Sequence, residues 1–239
     1  MKRIVITGGT GRFGNILKQS KNKHKLFFPT KKELNILNYK NIKNYLKKTK
    51  PNILIHLAGL SRPMNIHNKN ILKSIDLNII GTANITKACA ERNIKLIYFS
   101  TNYVYPGSKG NYKETDPVLP INKYAWSKLG GETSVILYKN SLVLRLSMTE
   151  KPFVHKKAFA NVKTNFMYHE DVTKLLFKLL NERGIINIGG KPQYIFNFAK
   201  KENPNVKKIY LKKNSNLGIP FDSSISTSKL RKILRKNKN

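Results

Sequence analysis

Three Tyr-x-x-x-Lys pairs stand in this chain, at Tyr39–Lys43, Tyr105–Lys109 and Tyr124–Lys128. On one helix face such a pair can move a proton. A phenol titrates at about 10 in water, and a neighbouring ammonium favours the phenolate. In a lysine-rich chain the pattern is cheap, so context must separate the three. Tyr105 precedes Pro106-Gly107, which marks a loop. Tyr39 stands just before a helical pattern, far along the chain from any strand end that could complete a site. Tyr124 opens a helical stretch with Lys128 one turn on, so both project from one face. The preceding strand pattern ends in Ser100-Thr101, and Thr101 could hydrogen-bond the same oxygen that Tyr124 protonates. Lys128 is expected to lower the Tyr124 pKa.

A second chemical signal opens the chain. The β-branched run from Lys2 to Thr7 leads straight into Gly8-Gly9-Thr10-Gly11-Arg12-Phe13-Gly14. Glycines at 8, 11 and 14 before a helix suit a pyrophosphate. Side chains are absent where backbone must approach it, and a helix N-terminus offers free N–H groups and a positive dipole end. This points to a dinucleotide, with Lys128 placed to hold its nicotinamide ribose. After the second strand no acid stands at the strand end. The stretch Phe28-Pro29-Thr30-Lys31-Lys32-Glu33 offers Lys31 for a 2′-phosphate, unless these lysines merely face solvent.

Positioning these groups requires strands and helices in alternation. Strand patterns cover 2–7, 25–28, 52–57, 95–100, 141–146 and 184–188. Helical spacing covers 41–48, 71–92 (with Gly81 inside), 122–138, 171–180 and 228–234. This alternation predicts an α/β fold, a Rossmann-like doubly wound parallel sheet. The rhythm weakens after Ser147. Residues 1–146 are therefore read as an NAD(P)-binding domain, and 147–239 as a small substrate lobe interleaved with the last sheet elements. The basic tail from Lys229 to Asn239 is expected to fray, with Arg231, Lys232, Arg235 and Lys236 solvated.

Composition narrows the function. No apolar run reaches the roughly 18 residues of a membrane span. The opening apolar stretch is too short for a signal peptide. Cys89 is the single cysteine, which excludes an internal disulfide and fits a cytoplasmic location. Within Ala88-Cys89-Ala90 it is expected to pack in the core. The five histidines lack ligand spacing, so no metal site is expected and His169 is read as structural. Forty-six Lys plus Arg against 12 Asp plus Glu give a formal net charge of +34. Such a charge suits a polyanion. The lysines are nevertheless spread along the chain without interleaved aromatics, and AT-rich codon usage is the simpler source. No nucleic-acid or membrane partner is expected, although positive charge would attract a phosphate-bearing substrate.

Taken in order, several segments resemble the extended short-chain dehydrogenases. Besides the glycine loop they are Glu33-Leu34-Asn35-Ile36, Pro51 to Gly59, Asn78-Ile79-Ile80-Gly81-Thr82, Ser100 to Gly107, Tyr124 to Glu132, Leu144-Arg145 and Ser226 to Arg231. Within that group the chain is most similar to dTDP-4-dehydrorhamnose reductases and related sugar-nucleotide-binding proteins. The resemblance implies NADPH- or NADH-dependent reduction of a keto-sugar nucleotide, as in dTDP-rhamnose biosynthesis, with NADPH favoured. It implies Thr101, Tyr124 and Lys128 as the catalytic set, with Tyr124 the proton donor. Cofactor contacts would come from Gly8, Gly11, Arg12, Phe13, Gly14, Lys31, Asn35, Ile36, Ala58, Gly59, Asn78 and Lys128, Asn78 being also the structural asparagine of the site. Substrate contacts would come from Ser61, Asn102, Tyr103 and Arg145. A sugar-nucleotide epimerase of the same superfamily and a non-catalytic, cofactor-binding regulatory protein are the alternatives.

The chain departs from the family at three places. Asn102 stands where Asp usually follows the threonine, Met148 where Trp is common, and the segment 148–171 is short, so the substrate lobe is trimmed. Asn102-Tyr103 also lacks the two carboxylates of the dehydratases. In relatives the helix over 71–92 and the Tyr124 helix often pair into a four-helix interface. Ile71, Ile75, Ile79 and Ala83 give this chain the apolar width for such a homodimer.

Overall fold

The computed structural model describes residues 1–213 and 215–236. Six parallel strands form its central sheet. They are β1 (Arg3–Thr7), β2 (Lys25–Phe27), β3 (Ile53–His56), β4 (Lys95–Thr101), β5 (Ser141–Leu146) and β6 (Gly184–Ile188). Their order is β6-β5-β4-β3-β1-β2. From β1 the chain goes outward to β2 and then crosses back to β3 on the other side. Open sheets of this kind bind ligands beyond the carboxyl ends of the strands at that switch point. The register pairs Thr7 with His56 and His56 with Tyr98, so β1 and β3 end side by side while β4 runs on past them to Thr101.

The helices are α1 (Arg12–Gln19), α2 (Tyr39–Thr49), a composite α3, α4 (Lys123–Ile136), α5 (His169–Lys178) and α6 (Ser228–Lys236). Successive residues of each strand serve opposite faces, as the pleat requires. Ile4, Ile6, Ile53, Ile55, Ile97 and Phe99 pack against α1, α5 and Leu230 of α6. Val5, Leu54, Leu96 and Tyr98 pack against α2, α3 and α4. Cys89 of α3 is fully buried there. Both faces are covered, which is why the strands read as continuous apolar runs rather than alternating ones.

Two expectations need correcting. The helix predicted over 71–92 is not uniform. It runs as α-helix Ile71–Ile75, a π turn Asp76–Ile80, and α-helix Gly81–Ala90, which together form α3. The basic tail does not fray within the described residues. α6 reaches Lys236 because Leu230 is buried, while Arg231, Lys232, Arg235 and Lys236 stay exposed. Residues 237–239 of the tail lie outside the described residues.

Beyond β5 the elements are short. Met148–Thr149 pairs with Met167–Tyr168, Lys157–Phe159 with Lys207–Ile209, and Lys163–Thr164 with Gln193–Tyr194. They enclose a small core of their own, built on Phe153, Ala158, Val162, Phe198 and Leu211. Among the described residues no helix is long and apolar enough to cross a membrane.

Candidate functional site

The glycine loop leaves β1 at the switch point. Gly8 has φ +71°, and a Cβ there would stand 2.6 Å from the Ala58 nitrogen. At Gly14 a Cβ would meet the Gly9 carbonyl at 2.5 Å. Glycine is therefore required at both positions to fold the loop on itself and on the end of β3. Gly11 is exposed, its N–H bonded to the Gly8 carbonyl at 3.0 Å. The first N–H groups of α1 have no partner within the helix and suit a phosphate. Phe13 can offer only its backbone, because its ring is buried 5.0 Å from Phe99 and 5.5 Å from His169. Arg12 is exposed and ion-paired with Glu150 at 3.2 Å.

At the end of β2, Lys31 is exposed. The nearby acid, Glu33, is turned back onto Thr30, taking its N–H at 2.8 Å and its hydroxyl at 2.9 Å. Asn35 accepts the Leu37 N–H at 3.0 Å. Ile36 is buried against Gly81 of α3, so its side chain belongs to the core rather than to a cofactor surface.

Ala58 is half-buried and Gly59 exposed beyond β3. The π turn of α3 aims Asn78 beneath this loop. Its Nδ2 donates to the Leu60 carbonyl at 2.9 Å and to Ser127 Oγ at 2.8 Å, while Oδ1 accepts the Leu60 N–H at 2.7 Å. Asn78 is itself buried, so its role is to tie the post-β3 loop to α4, one residue before Lys128. Asn122 fixes the start of α4 by accepting the Ala125 N–H at 2.8 Å, and this sets where Tyr124 emerges.

Thr101, Tyr124 and Lys128 converge at this end of the sheet. The Thr101 hydroxyl accepts the Tyr103 N–H at 3.2 Å and lies near enough to the Tyr124 phenol to favour its ionised form. Burial pushes that phenol up to about 12, against the pull of Thr101 and of the Arg62 charge. The expected lowering by Lys128 does not hold here. Lys128 Nζ lies over the Tyr98 ring, 4.0 Å from its centroid. Burial draws its own pKa down to about 7, with Glu132 opposing. The site thus stores a protonated phenol and, one turn further along α4, an amine that titrates near neutrality.

Two expected substrate contacts are spent elsewhere. Arg145 lies on β5, buried, with Nε and Nη2 on Glu132 Oε1 at 3.0 and 2.6 Å and Nη1 on the Tyr105 hydroxyl at 2.8 Å. A guanidinium so saturated holds α4 to the sheet and cannot reach a ligand. Asn102, also buried, donates to the Ser223 carbonyl at 2.9 Å and ties β4 to the lobe. Tyr103 remains half-buried beside Tyr124, and Ser61 is exposed on the post-β3 loop.

Three neighbours of the site escaped the sequence reading. Arg62 follows Ser61, and its charge acts on both Tyr103 and Tyr124. Glu150 binds Arg62 at 3.1 Å as well as Arg12. His67 is buried with its ring 5.2 Å from that of Tyr124 and Nδ1 bonded to Ser74 Oγ at 2.6 Å. The usable signal for Arg62 and His67 was their place just after a strand that ends at the switch point. Glu150 carried none.

Comparison with known proteins fits this geometry. The RmlD substrate binding domain family matches residues 1–170. The dTDP-4-dehydrorhamnose reductase of Aggregatibacter actinomycetemcomitans is 27% identical over 79% of this chain and 60% of its own. Methionine adenosyltransferase 2 subunit beta of Xenopus laevis is 31% identical over 56% of this chain and 43% of its own, so the chain spans about half the length of the curated relatives it matches. Among solved structures, the dTDP-4-dehydrorhamnose reductase from Bacillus anthracis in complex with NADP superimposes with a TM-score of 0.87 at 24% identity, over 97% of this chain and 92% of that one. Matched by the family over residues 1–170, with the glycine loop, Thr101 and the Tyr124–Lys128 helix inside that span, the chain belongs to the RmlD substrate binding domain family.

Proposed function

We propose that the protein is an NAD(P)H-dependent reductase of a keto-sugar nucleotide, similar to dTDP-4-dehydrorhamnose reductase. What supports this reading is that Thr101 at the end of β4 lies near Tyr124 of α4, with Lys128 one turn on, at the same end of the parallel sheet that the glycine loop leaves. A nicotinamide cofactor, when bound, supplies hydride. The N-terminal turn of α1 and the Gly8–Gly14 loop hold its pyrophosphate, and Lys31 suits a 2′-phosphate, which favours NADPH. Thr101 orients the substrate carbonyl oxygen, and Tyr124, kept protonated by its burial, donates the proton. Lys128 holds the ribose. Residues 1–146 carry the cofactor, and the trimmed lobe after Ser147, interleaved with β6, selects the sugar with Tyr103 and Ser61 at its edge.

A second reading is a non-catalytic binding subunit. It is favoured by the likeness to methionine adenosyltransferase 2 subunit beta. Turnover separates the two. With NADPH or NADH and a panel of keto-sugar nucleotides, Tyr124→Phe should lower kcat by about 10² to 10⁴ while cofactor affinity changes little. A variant with wild-type kcat would remove Tyr124 from the mechanism. Cofactor binding by the wild type without turnover on any sugar nucleotide would favour the subunit.

A further inference from the structure

Glu150 is one of only 12 acidic residues in a chain of net charge +34, and it stands between two arginines. Its carboxylate lies 3.2 Å from Arg12 and 3.1 Å from Arg62. The three come from three elements: the first turn of α1, the post-β3 loop, and the segment after Met148–Thr149. Arg12 opens the helix that follows the glycine loop, whereas the charge of Arg62 is felt by the phenols of Tyr103 and Tyr124. The guanidinium pair therefore spans the gap between the phosphate-binding turn and the proton donor. Glu150 is largely shielded, with 17% of its side chain exposed, against 51% for Arg12 and 38% for Arg62. One carboxylate shared by two guanidiniums leaves a positive charge uncompensated and most of their forked donors unused.

We propose that Arg12 and Arg62 form a clamp for a diphosphate group, and that Glu150 is its internal competitor, occupying the place a phosphate oxygen takes. This deepens the proposed function and rests on it, because both the dinucleotide and the nucleotide sugar carry a diphosphate. A diphosphate brings more charge and more acceptor oxygens than one carboxylate and fits guanidinium forks in bidentate fashion. Its entry releases Glu150, and with it an ion pair that joins the trimmed lobe to the first turn of α1.

Isothermal titration at low salt tests the clamp with four probes: inorganic pyrophosphate, NAD⁺, NADP⁺ and dTDP. The proteins are wild type, Arg62→Gln, Arg62→Lys and Glu150→Gln, each checked for an unchanged melting temperature. Arg62→Gln should raise the Kd of at least one probe about tenfold, the equivalent of one lost charge-assisted bond. Arg62→Lys should fall between that variant and wild type. Glu150→Gln should tighten the same probe several-fold, an effect that added salt reduces. Shifts confined to NAD⁺ and NADP⁺ assign the clamp to the dinucleotide, and shifts confined to dTDP assign it to the substrate. If Glu150→Gln weakens binding as Arg62→Gln does, Glu150 is a scaffold and the proposal falls. If the nucleotides bind and no variant changes their affinity, the clamp falls while the proposed function stands. Shifts for pyrophosphate alone, with no nucleotide bound, keep the clamp and remove the proposed function.

Discussion

The sheet and the small lobe are held together by different chemistry. The sheet buries aliphatic side chains on both faces, Ile4, Ile6, Ile53 and Ile55 on one and Val5, Leu54 and Leu96 on the other. The lobe has a smaller core and relies on buried polar side chains, both within itself and toward the sheet. Asn102 reaches Ser223, Ser147 meets Thr164 at 3.0 Å, and Asn165 brackets Ile225, accepting its N–H at 3.1 Å and donating to its carbonyl at 3.0 Å. Apolar burial is non-directional and tolerates small shifts, whereas hydrogen bonds fix a geometry and cost much when half-made. The sheet therefore supplies stability and a fixed row of strand ends. The lobe supplies a surface whose shape depends on a few specific contacts.

That division can be broken first at the buried ion pair of the sheet half. Glu132 is fully buried and accepts from Arg145 and Ser100. Glu132→Ala should cost about 3–5 kcal/mol in urea denaturation, because an uncompensated guanidinium is left inside. A loss below about 1 kcal/mol would mean that water reaches Arg145 and the pair is not structural. A smaller effect is expected in the lobe. Asn165→Ala should cost about 1–3 kcal/mol, since it orphans the buried Ile225 N–H and carbonyl. If both variants cost the same, the contrast between the regions is wrong.

Titration sharpens the comparison from another side. His56 sits at the end of β3, fully buried, with Nδ1 2.7 Å from Thr7 Oγ1 and Nε2 3.1 Å from Thr82 Oγ1. Burial, helped by the charge of Lys128, pulls its pKa down to about 3 from an ordinary 6.5. Between those values the unfolded chain binds the proton and the folded protein does not, so acidification favours unfolding. Stability should fall by up to about 1.4 kcal/mol per pH unit below 6.5, and be fully retained above it. Urea midpoints at pH 7 and pH 5 should differ less in His56→Gln than in wild type. Equal slopes would assign the acid sensitivity elsewhere.

The smallest effect concerns association. On the sheet half, α3 and α4 expose Ile71, Leu72, Ile80 and Trp126, each more than two-fifths exposed. We propose that this face pairs two copies of the chain. The net charge of +34 opposes close approach, so light scattering should show a dimer fraction that rises with moderate salt. A monomer mass at both low and moderate salt would rule the pairing out.

The same division decides what the sequence could show. All six sheet strands were legible to within a residue or two, because each is a largely apolar run and most are closed by Gly, Asn or Pro. α2, α4, α5 and α6 were legible from apolar spacing. The lobe strands were not, since pairs such as Lys163–Thr164 with Gln193–Tyr194 are two residues long and carry no period. Thr101, Tyr124 and Lys128 stand out as a proposed set because a strand end is followed by a helix that carries the Tyr–Lys pair. The direction of the Tyr124 pKa could not, because desolvation depends on what encloses a group and not on its sequence neighbours. The Arg12–Glu150–Arg62 contact joins residues as far apart as positions 12 and 150, and only the packed structure brings them together.

The π turn in α3 has a consequence for mutational tolerance. It lodges one residue more than an α-helical path over the same length would hold. Removing a residue from an α-helix ordinarily rotates everything beyond it by about 100° and turns its apolar face away from the sheet. A single deletion within Asp76–Ile80 would instead let the turn relax to α-helix, leaving Ile71–Ile75 and Gly81–Ala90 in phase. Such a shortened chain would keep its fold and lose only the aim of Asn78, and with it the tether on the loop that carries Ser61 and Arg62. The extra residue is thus separable from folding, and a one-residue length change at this point is a route by which a relative could gain or lose the site without rebuilding the scaffold.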